Sequence, residues 1–171
     1  MGYTHYFDFD KKLESNDFDK IAMDMSVIAN HFSSKKIKHS NAGGYHTEPV
    51  ELFDGRGETK GIELNTEIID KKITLTRVAF NGGGELGHET LAISLGMEWD
   101  FCKTARKPYD VAVCMTLLSI KYHTPYASIR SDGNLKEWGQ AIRLWNKLFD
   151  RDVKFGGLGK KIKNLTMKVV D

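Results

Sequence analysis

Three positively charged residues stand directly before a proline in the middle of the chain. Lys103, Arg106 and Lys107 precede Pro108, and proline suits the first position of a helix because its missing N–H has no partner to lose there. The helix dipole disfavours cations at this end, so a bound phosphate or carboxylate would relieve the conflict. The sequence therefore predicts an anion site at this helix start, with a solvated charged loop as the alternative.

A glycine-rich turn supplies further candidate contacts. The run from Asn81 to Gly84 can turn a strand sharply and present backbone N–H groups to an anion. It lacks the Lys-Ser/Thr ending of a P-loop and the glycine spacing of a dinucleotide-binding fingerprint, so an ordinary hairpin loop is the alternative. Thr104 would add a hydroxyl to such a site, and Tyr109 would stack on a base. The predicted ligand-binding residues are Lys103, Thr104, Arg106, Lys107, Tyr109, His88, Asn81, Gly83 and Gly84.

The histidines admit an enzymatic alternative. The triplet of residues 88–90, His-Glu-Thr, resembles one half of the paired His-x-Thr motifs of two-histidine phosphoesterases. That chemistry needs a second histidine as acid or base, for which His5 and His123 are the candidates beside His88. His39 and His46 lack companion metal ligands in the sequence. We predict no metal and no cofactor.

Composition restricts the class of protein. The chain has 171 residues, 40% of them hydrophobic, which suits one domain with a sizeable core. Its net charge of +2 argues against bulk nucleic-acid binding, so an anion site must come from local clustering. Cys102 and Cys114 have no CxxC spacing and are expected to be reduced thiols. With no signal-peptide pattern and no long apolar run, we expect a soluble cytoplasmic protein with no membrane partner.

Periodicity predicts the elements that position these residues. Alternation over residues 2–9 indicates a strand with two usable faces, and residues 73–80 form the strongest strand pattern. Helices are predicted at 18–32, at 109–122 and at 135–149, the second apolar almost all round and therefore buried. Strands without a repeating strand–helix unit predict an α+β domain over residues 1–171, with a largely antiparallel sheet and about three helices. Weaker strand candidates are 50–53, 61–65, 90–95 and 126–130.

The C-terminal tail, residues 152–171, is glycine-rich and then basic. Apolar and polar residues alternate near its end, which predicts one edge strand. An edge strand of this kind could pair with the sheet of a second copy, so we expect a homo-oligomer joined through the tail.

Two segments resemble a known group of proteins. The opening residues 1–6 (MGYTHY) and residues 101–110 (FCKTARKPYD) are similar to small bacteriophage- and prophage-encoded proteins of no established activity, as are residues 80–90 and 131–138. The resemblance covers about a third of the chain and carries over no catalytic role. It implies an accessory protein working in the cytoplasm of an infected bacterium. Many such phage proteins counter host defence, some by sequestering nucleotide-derived immune signals.

The leading functional hypothesis is therefore a non-catalytic binding protein for a small phosphorylated, nucleotide-type ligand. A phage anti-defence protein that sequesters an immune signal would fit this description. One alternative is a phosphodiesterase or nucleotide hydrolase that uses His88 with a second histidine. Another is a phage accessory protein that binds a host protein through its charged surface.

Overall fold

Three antiparallel sheets and three helices form the fold in the computed structural model, which describes residues 2–157 and 159–170. The predicted α+β class with a largely antiparallel sheet is confirmed. Two sheets have three strands, ordered β5–β1–β6 and β2–β3–β4, and β7 pairs with β8. The elements are β1 (Thr4–Asp8), α1 (Ser15–Ser34), β2 (Glu63–Ile69), β3 (Lys72–Phe80), β4 (Leu91–Ser94), β5 (Trp99–Lys103), α2 (Asp110–His123), β6 (Ser128–Ser131), α3 (Gly139–Leu148), β7 (Val153–Gly156) and β8 (Thr166–Val169).

Helix α2 is the buried centre of the molecule. Every residue from Asp110 to Lys121 is buried, and α1 and α3 both pack against this helix. A helix that is apolar all round must be surrounded by protein, so the predicted core helix is confirmed. Among the described residues, no helix combines the length and the apolar character needed to cross a bilayer.

Strand β1 has two unlike faces because side chains alternate along a strand. His5 and Phe7 are buried against the helices, whereas Tyr6 and Asp8 point outward. β1 is the middle strand of its sheet, with β5 and β6 antiparallel on either side. The two faces predicted for residues 2–9 are confirmed, and they separate a buried polar cluster from an open surface.

The largest departures from the predicted elements lie near turns. The last helix begins at Gly139 rather than at residue 135, and the residues before it form a turn in which Asn134 and Glu137 exchange reciprocal hydrogen bonds between backbone N–H and side chain. Residues 50–53 form no strand and make only isolated bridges through Phe53. Strand β5, at residues 99–103, was not predicted.

The C-terminal tail pairs within its own chain. The predicted edge strand near the end is confirmed as β8, but it lies antiparallel to β7 of the same molecule. Ile162 exchanges backbone hydrogen bonds with Ser131 and Gly133, so the tail also covers one edge of β6. Residue 158 and the last residue of the predicted tail lie outside the described residues.

Candidate functional site

A buried carboxylate joins β1 to the start of α2. The Asp110 carboxylate lies 2.6 Å from His5 Nε2 through Oδ1 and 2.9 Å from His39 Nε2 through Oδ2. The Thr104 hydroxyl donates a third hydrogen bond to Oδ1 at 2.6 Å. All four residues are buried. Since an unpaired buried carboxylate is costly, these donors are what permits Asp110 to remain charged in the core.

Hydrogen-bond directions assign the tautomers of both histidines. Ser131 Oγ accepts hydrogen bonds from the Gly133 N–H and from Trp138 Nε1–H, so its own hydrogen is left for His5 Nδ1, 2.8 Å away. The ring atom His39 Nδ1 accepts the backbone N–H of residue 41. Each ring therefore carries its hydrogen on Nε2 and donates it to the buried carboxylate. The cluster is complete without a ligand.

The buried surroundings shift the pKa values of Asp110 and Cys114 in opposite directions. Burial alone would raise the pKa of Asp110, but its interactions with His5 and His39 outweigh burial and hold that pKa well below its usual range. Cys114 Sγ lies 3.8 Å from both His5 Nε2 and Asp110 Oδ2, and burial raises the pKa of the thiol well above its ordinary value. The 2.6 Å separation of the histidine nitrogen and carboxylate oxygen is that of a hydrogen bond. The ligand atoms of His5, Asp110 and Cys114 lie within 4.8 Å of one another, and in this arrangement the histidine and the carboxylate bond to each other.

The second cysteine is likewise buried. Cys102 and Cys114 are both free thiols, as predicted. Burial raises the pKa of Cys102, so this thiol is held in its unreactive protonated form.

Two residues of the predicted cation cluster, Arg106 and Lys107, contact other parts of the chain. Arg106 makes a 2.8 Å ion pair with Glu137, and its guanidinium lies 4.2 Å from the centre of the Tyr3 ring. Lys107 Nζ donates to the Tyr45 hydroxyl at 3.0 Å and to a backbone carbonyl. α2 begins at Asp110, so its own first residue supplies the anion that suits this helix end. The ligand-binding roles of Lys103, Arg106 and Lys107 stay predictions.

The other predicted contacts form a structural frame around the glycine turn. The Asn81 side chain accepts the backbone N–H of His88 at 3.0 Å and donates to the backbone carbonyl of the same residue at 3.0 Å. Gly84 N–H donates to a backbone carbonyl at 3.2 Å, and a side chain at Gly83 would collide with a phenylalanine ring. Tyr109 is buried and its hydroxyl donates to a backbone carbonyl at 2.6 Å. Their roles in binding a ligand also stay predictions.

The three histidines of the enzymatic alternative lie in different places. The ring of His5 is fully buried in the Asp110 cluster, whereas His88 is exposed on a loop. His123 lies at the far end of α2, about 20 Å along the helix from Asp110, and bonds to Asp24 at 2.9 Å. Their side chains do not assemble an acid–base pair around a shared opening.

The outward side of β5–β1–β6 is the most distinctive open surface. We call it the aromatic face; it carries Tyr6, Trp99, Phe101 and Arg130. The three rings are 37%, 65% and 44% exposed respectively. Tyr6 lies directly between Phe101 and Arg130 in the sheet register, with the guanidinium 5.2 Å from its ring centre. Large rings that are exposed side by side on a sheet indicate a binding surface.

A cleft of about 350 Å³ lies on the aromatic face. Its polar lining includes Asp8 and Ser128, and Lys103 follows Phe101 by two residues and so shares the same side of β5. Among the described residues, no carboxylate lies within 4.0 Å of the terminal nitrogens of Lys103 or Arg130. Rings, hydrogen-bond acceptors and unpaired cations are therefore gathered within one surface.

A larger hollow of about 820 Å³ lies against β2, β3 and β4 but offers weaker chemistry. Its arginine, Arg77, is neutralised by Glu63 at 2.8 Å and bonds to Asn65 at 2.9 Å. None of the described residues that line it is aromatic. We therefore place the candidate site on the aromatic face.

Sequence reasoning missed most of this surface. Trp99 and Phe101 were unassigned because β5 was not predicted, and the Arg130 side chain was given no role. The alternation of residues 99–103 was available as a signal, but it places the large rings outside and Cys102 inside. Comparisons of the chain with protein-family models, curated proteins and solved structures find no significant match.

Proposed function

We propose that this protein binds a small nucleotide-type ligand on the aromatic face and does not convert it. The observation that carries the proposal is the exposure of Tyr6, Trp99 and Phe101 side by side on an open sheet. Stacking of a base on an aromatic side chain contributes about 1–3 kcal/mol and tolerates any base. The cleft of about 350 Å³ falls within the range of small-ligand sites, which is roughly 300–1,000 Å³.

The charges around the rings suit the other parts of a nucleotide. Arg130 and Lys103 would neutralise phosphate, because neither has a carboxylate partner among the described residues. The Asp8 carboxylate would accept hydrogen bonds from ribose hydroxyls, and the Ser128 hydroxyl would accept or donate them. Lys103 is the residue shared with the anion site predicted from the sequence, while Arg106 and Lys107 would contribute mainly through the protein contacts they already make.

The position of the histidines supports the proposal that the bound ligand is not chemically converted. The rings of His5 and His39 are hydrogen-bonded to Asp110 beneath the sheet, on the opposite side of β1 from the aromatic face. A protein that only sequesters its ligand needs tight ground-state binding and no activated nucleophile. Together with the resemblance to phage proteins, this supports a role in removing a nucleotide-derived immune signal in the cytoplasm of an infected cell.

A ligand panel tests the proposal. The purified protein is equilibrated with cyclic and ADP-ribose-type nucleotides, with a nucleoside, and with ribose 5-phosphate, and binding is measured by equilibrium dialysis. We expect at least one nucleotide to bind more tightly than the nucleoside and the sugar phosphate, because the rings and the cations act together. The ligand released by denaturation should be intact. A chemically altered product would instead support the phosphodiesterase alternative. If no nucleotide binds, the proposal is wrong and the alternative of a host-protein partner is left.

A further inference from the structure

The hairpin of β2 and β3 extends beyond the body of the protein. β4 pairs only with Arg77–Phe80 of β3, so the outer part of the hairpin is a ribbon of two strands. We call this outer part, residues 66–75, the arm. An isolated two-stranded ribbon is marginally stable in water. Nonetheless Ile68 and Ile73, which face each other across the ribbon, are 79% and 80% exposed.

The outer edge of β2 is also unpaired. Among the described residues, β2 has β3 as its only neighbouring strand, and all but the first of its seven residues are exposed. Monomeric proteins normally protect such an edge with proline, inward charges or a covering loop, since it otherwise pairs with another chain. The bulge in this hairpin lies on β3, opposite the step from Asn65 to Thr66, and leaves the alternation of β2 itself intact.

The length and side chains of β2 favour one self-pairing register. If two copies pair antiparallel about a two-fold axis normal to the sheet, residues of the same face lie opposite each other. An axis at Asn65 would set Glu63 opposite Glu67, and an axis at Glu67 would set Glu67 opposite itself. Like charges directly opposite each other are destabilising. An axis at Thr66, the middle residue of β2, avoids both pairs, gives all seven residues of the strand a partner, and sets Leu64 opposite Ile68 at two equivalent places.

We propose that the protein forms a dimer in which β2 of one copy pairs with β2 of a second copy, antiparallel and centred on Thr66. The two hairpins then form a four-stranded ribbon, and one of its faces carries Leu64, Ile68 and Ile73 from each copy. This contact supplies both the missing backbone partners of β2 and a cover for the exposed isoleucines. It lies on β2 rather than on the C-terminal tail, whose strand is paired with β7.

The oligomeric state of the full chain tests this dimer. Multi-angle light scattering should give twice the 19.4 kDa chain mass for the unmodified protein. Ile68→Glu should raise the dimer dissociation constant at least tenfold, because the new carboxylate faces Leu64 of the other copy. Met23→Glu, at a site on α1 that is 70% exposed, is the matched control and should leave the dimer intact. A monomer at every soluble concentration, or a dimer that Ile68→Glu does not weaken, would overturn the proposal.

Cysteine cross-linking tests the register. Directly opposed residues of an antiparallel pair have Cα atoms about 4.5–5.5 Å apart, which suits a disulfide. Thr66→Cys should therefore give a covalent dimer on mild oxidation, whereas Glu67→Cys, which would face Asn65, should not. The native cysteines are buried and will not compete. A cross-link through residue 67 in preference to residue 66 would overturn the register.

Discussion

Replacing Asp110 with asparagine will lower the free energy of unfolding by about 3–5 kcal/mol at neutral pH, the usual cost of removing one member of a buried charged network. The carboxylate accepts hydrogen bonds from His5, His39 and Thr104. An asparagine amide would turn N–H donors toward at least one of these donors, leaving buried groups unpaired. Urea unfolding of Asp110→Asn measures the loss, and Asp19→Asn, on the exposed side of α1, should change stability by less than about 0.5 kcal/mol.

The stability difference between the unmodified protein and Asp110→Asn is expected to depend on pH. Because the folded-state pKa of Asp110 is held below its unfolded value, the carboxylate contributes its full stabilisation above about pH 5. That contribution is lost as the pH falls below the unfolded value toward the folded one. The stability difference between the unmodified protein and Asp110→Asn should therefore shrink in acid. A difference that is constant between neutral pH and about pH 3 would contradict the charged state of Asp110.

The second large effect is expected on ligand binding. Phe101→Ala and Tyr6→Ala should each weaken nucleotide binding by roughly 5- to 150-fold, since stacking on one ring contributes about 1–3 kcal/mol. Both rings are substantially exposed, so the substitutions should leave the fold intact. Titration calorimetry with the best nucleotide of the panel measures the change. Met23→Ala removes an exposed apolar side chain from helix α1 and is the control. Equal losses in all three variants would assign the effect to something other than stacking.

Prediction from the sequence succeeded where one periodicity dominated. The apolar run of residues 111–120 identified α2 as a buried helix, and the alternation around Tyr3 and Phe7 identified β1. His5 lies on the same buried face of β1 as Phe7, which indicates that its ring needs a polar partner in the core. The identity of that partner depends on the packing of β1 against α2, 105 residues later in the chain, and no local pattern specifies it.

The cation cluster shows a different limit. Lys103, Arg106 and Lys107 were expected to converge on an anion, because their charges conflict with a helix start. Part of this charge is balanced within the chain, by Asp110 at the helix start and by Glu137, 31 residues beyond Arg106, and the anion site itself stays a prediction. Long-range pairing of this kind leaves no local signal. The aromatic face was missed for the reverse reason, since alternating large rings ordinarily indicate the buried side of a strand.

The most direct measurement of the central proposal is the fluorescence of Trp99. Trp99 is 65% exposed on the aromatic face, whereas Trp138 and Trp145 are fully buried. A base stacked on Trp99 should quench its emission saturably as a nucleotide is added, after correction for absorbance, while ribose 5-phosphate should not. The change should disappear in Trp99→Phe, in which the ring remains but the reporter is lost. Emission that stays constant while the nucleotide binds, or quenching that persists in Trp99→Phe, would contradict binding on the aromatic face.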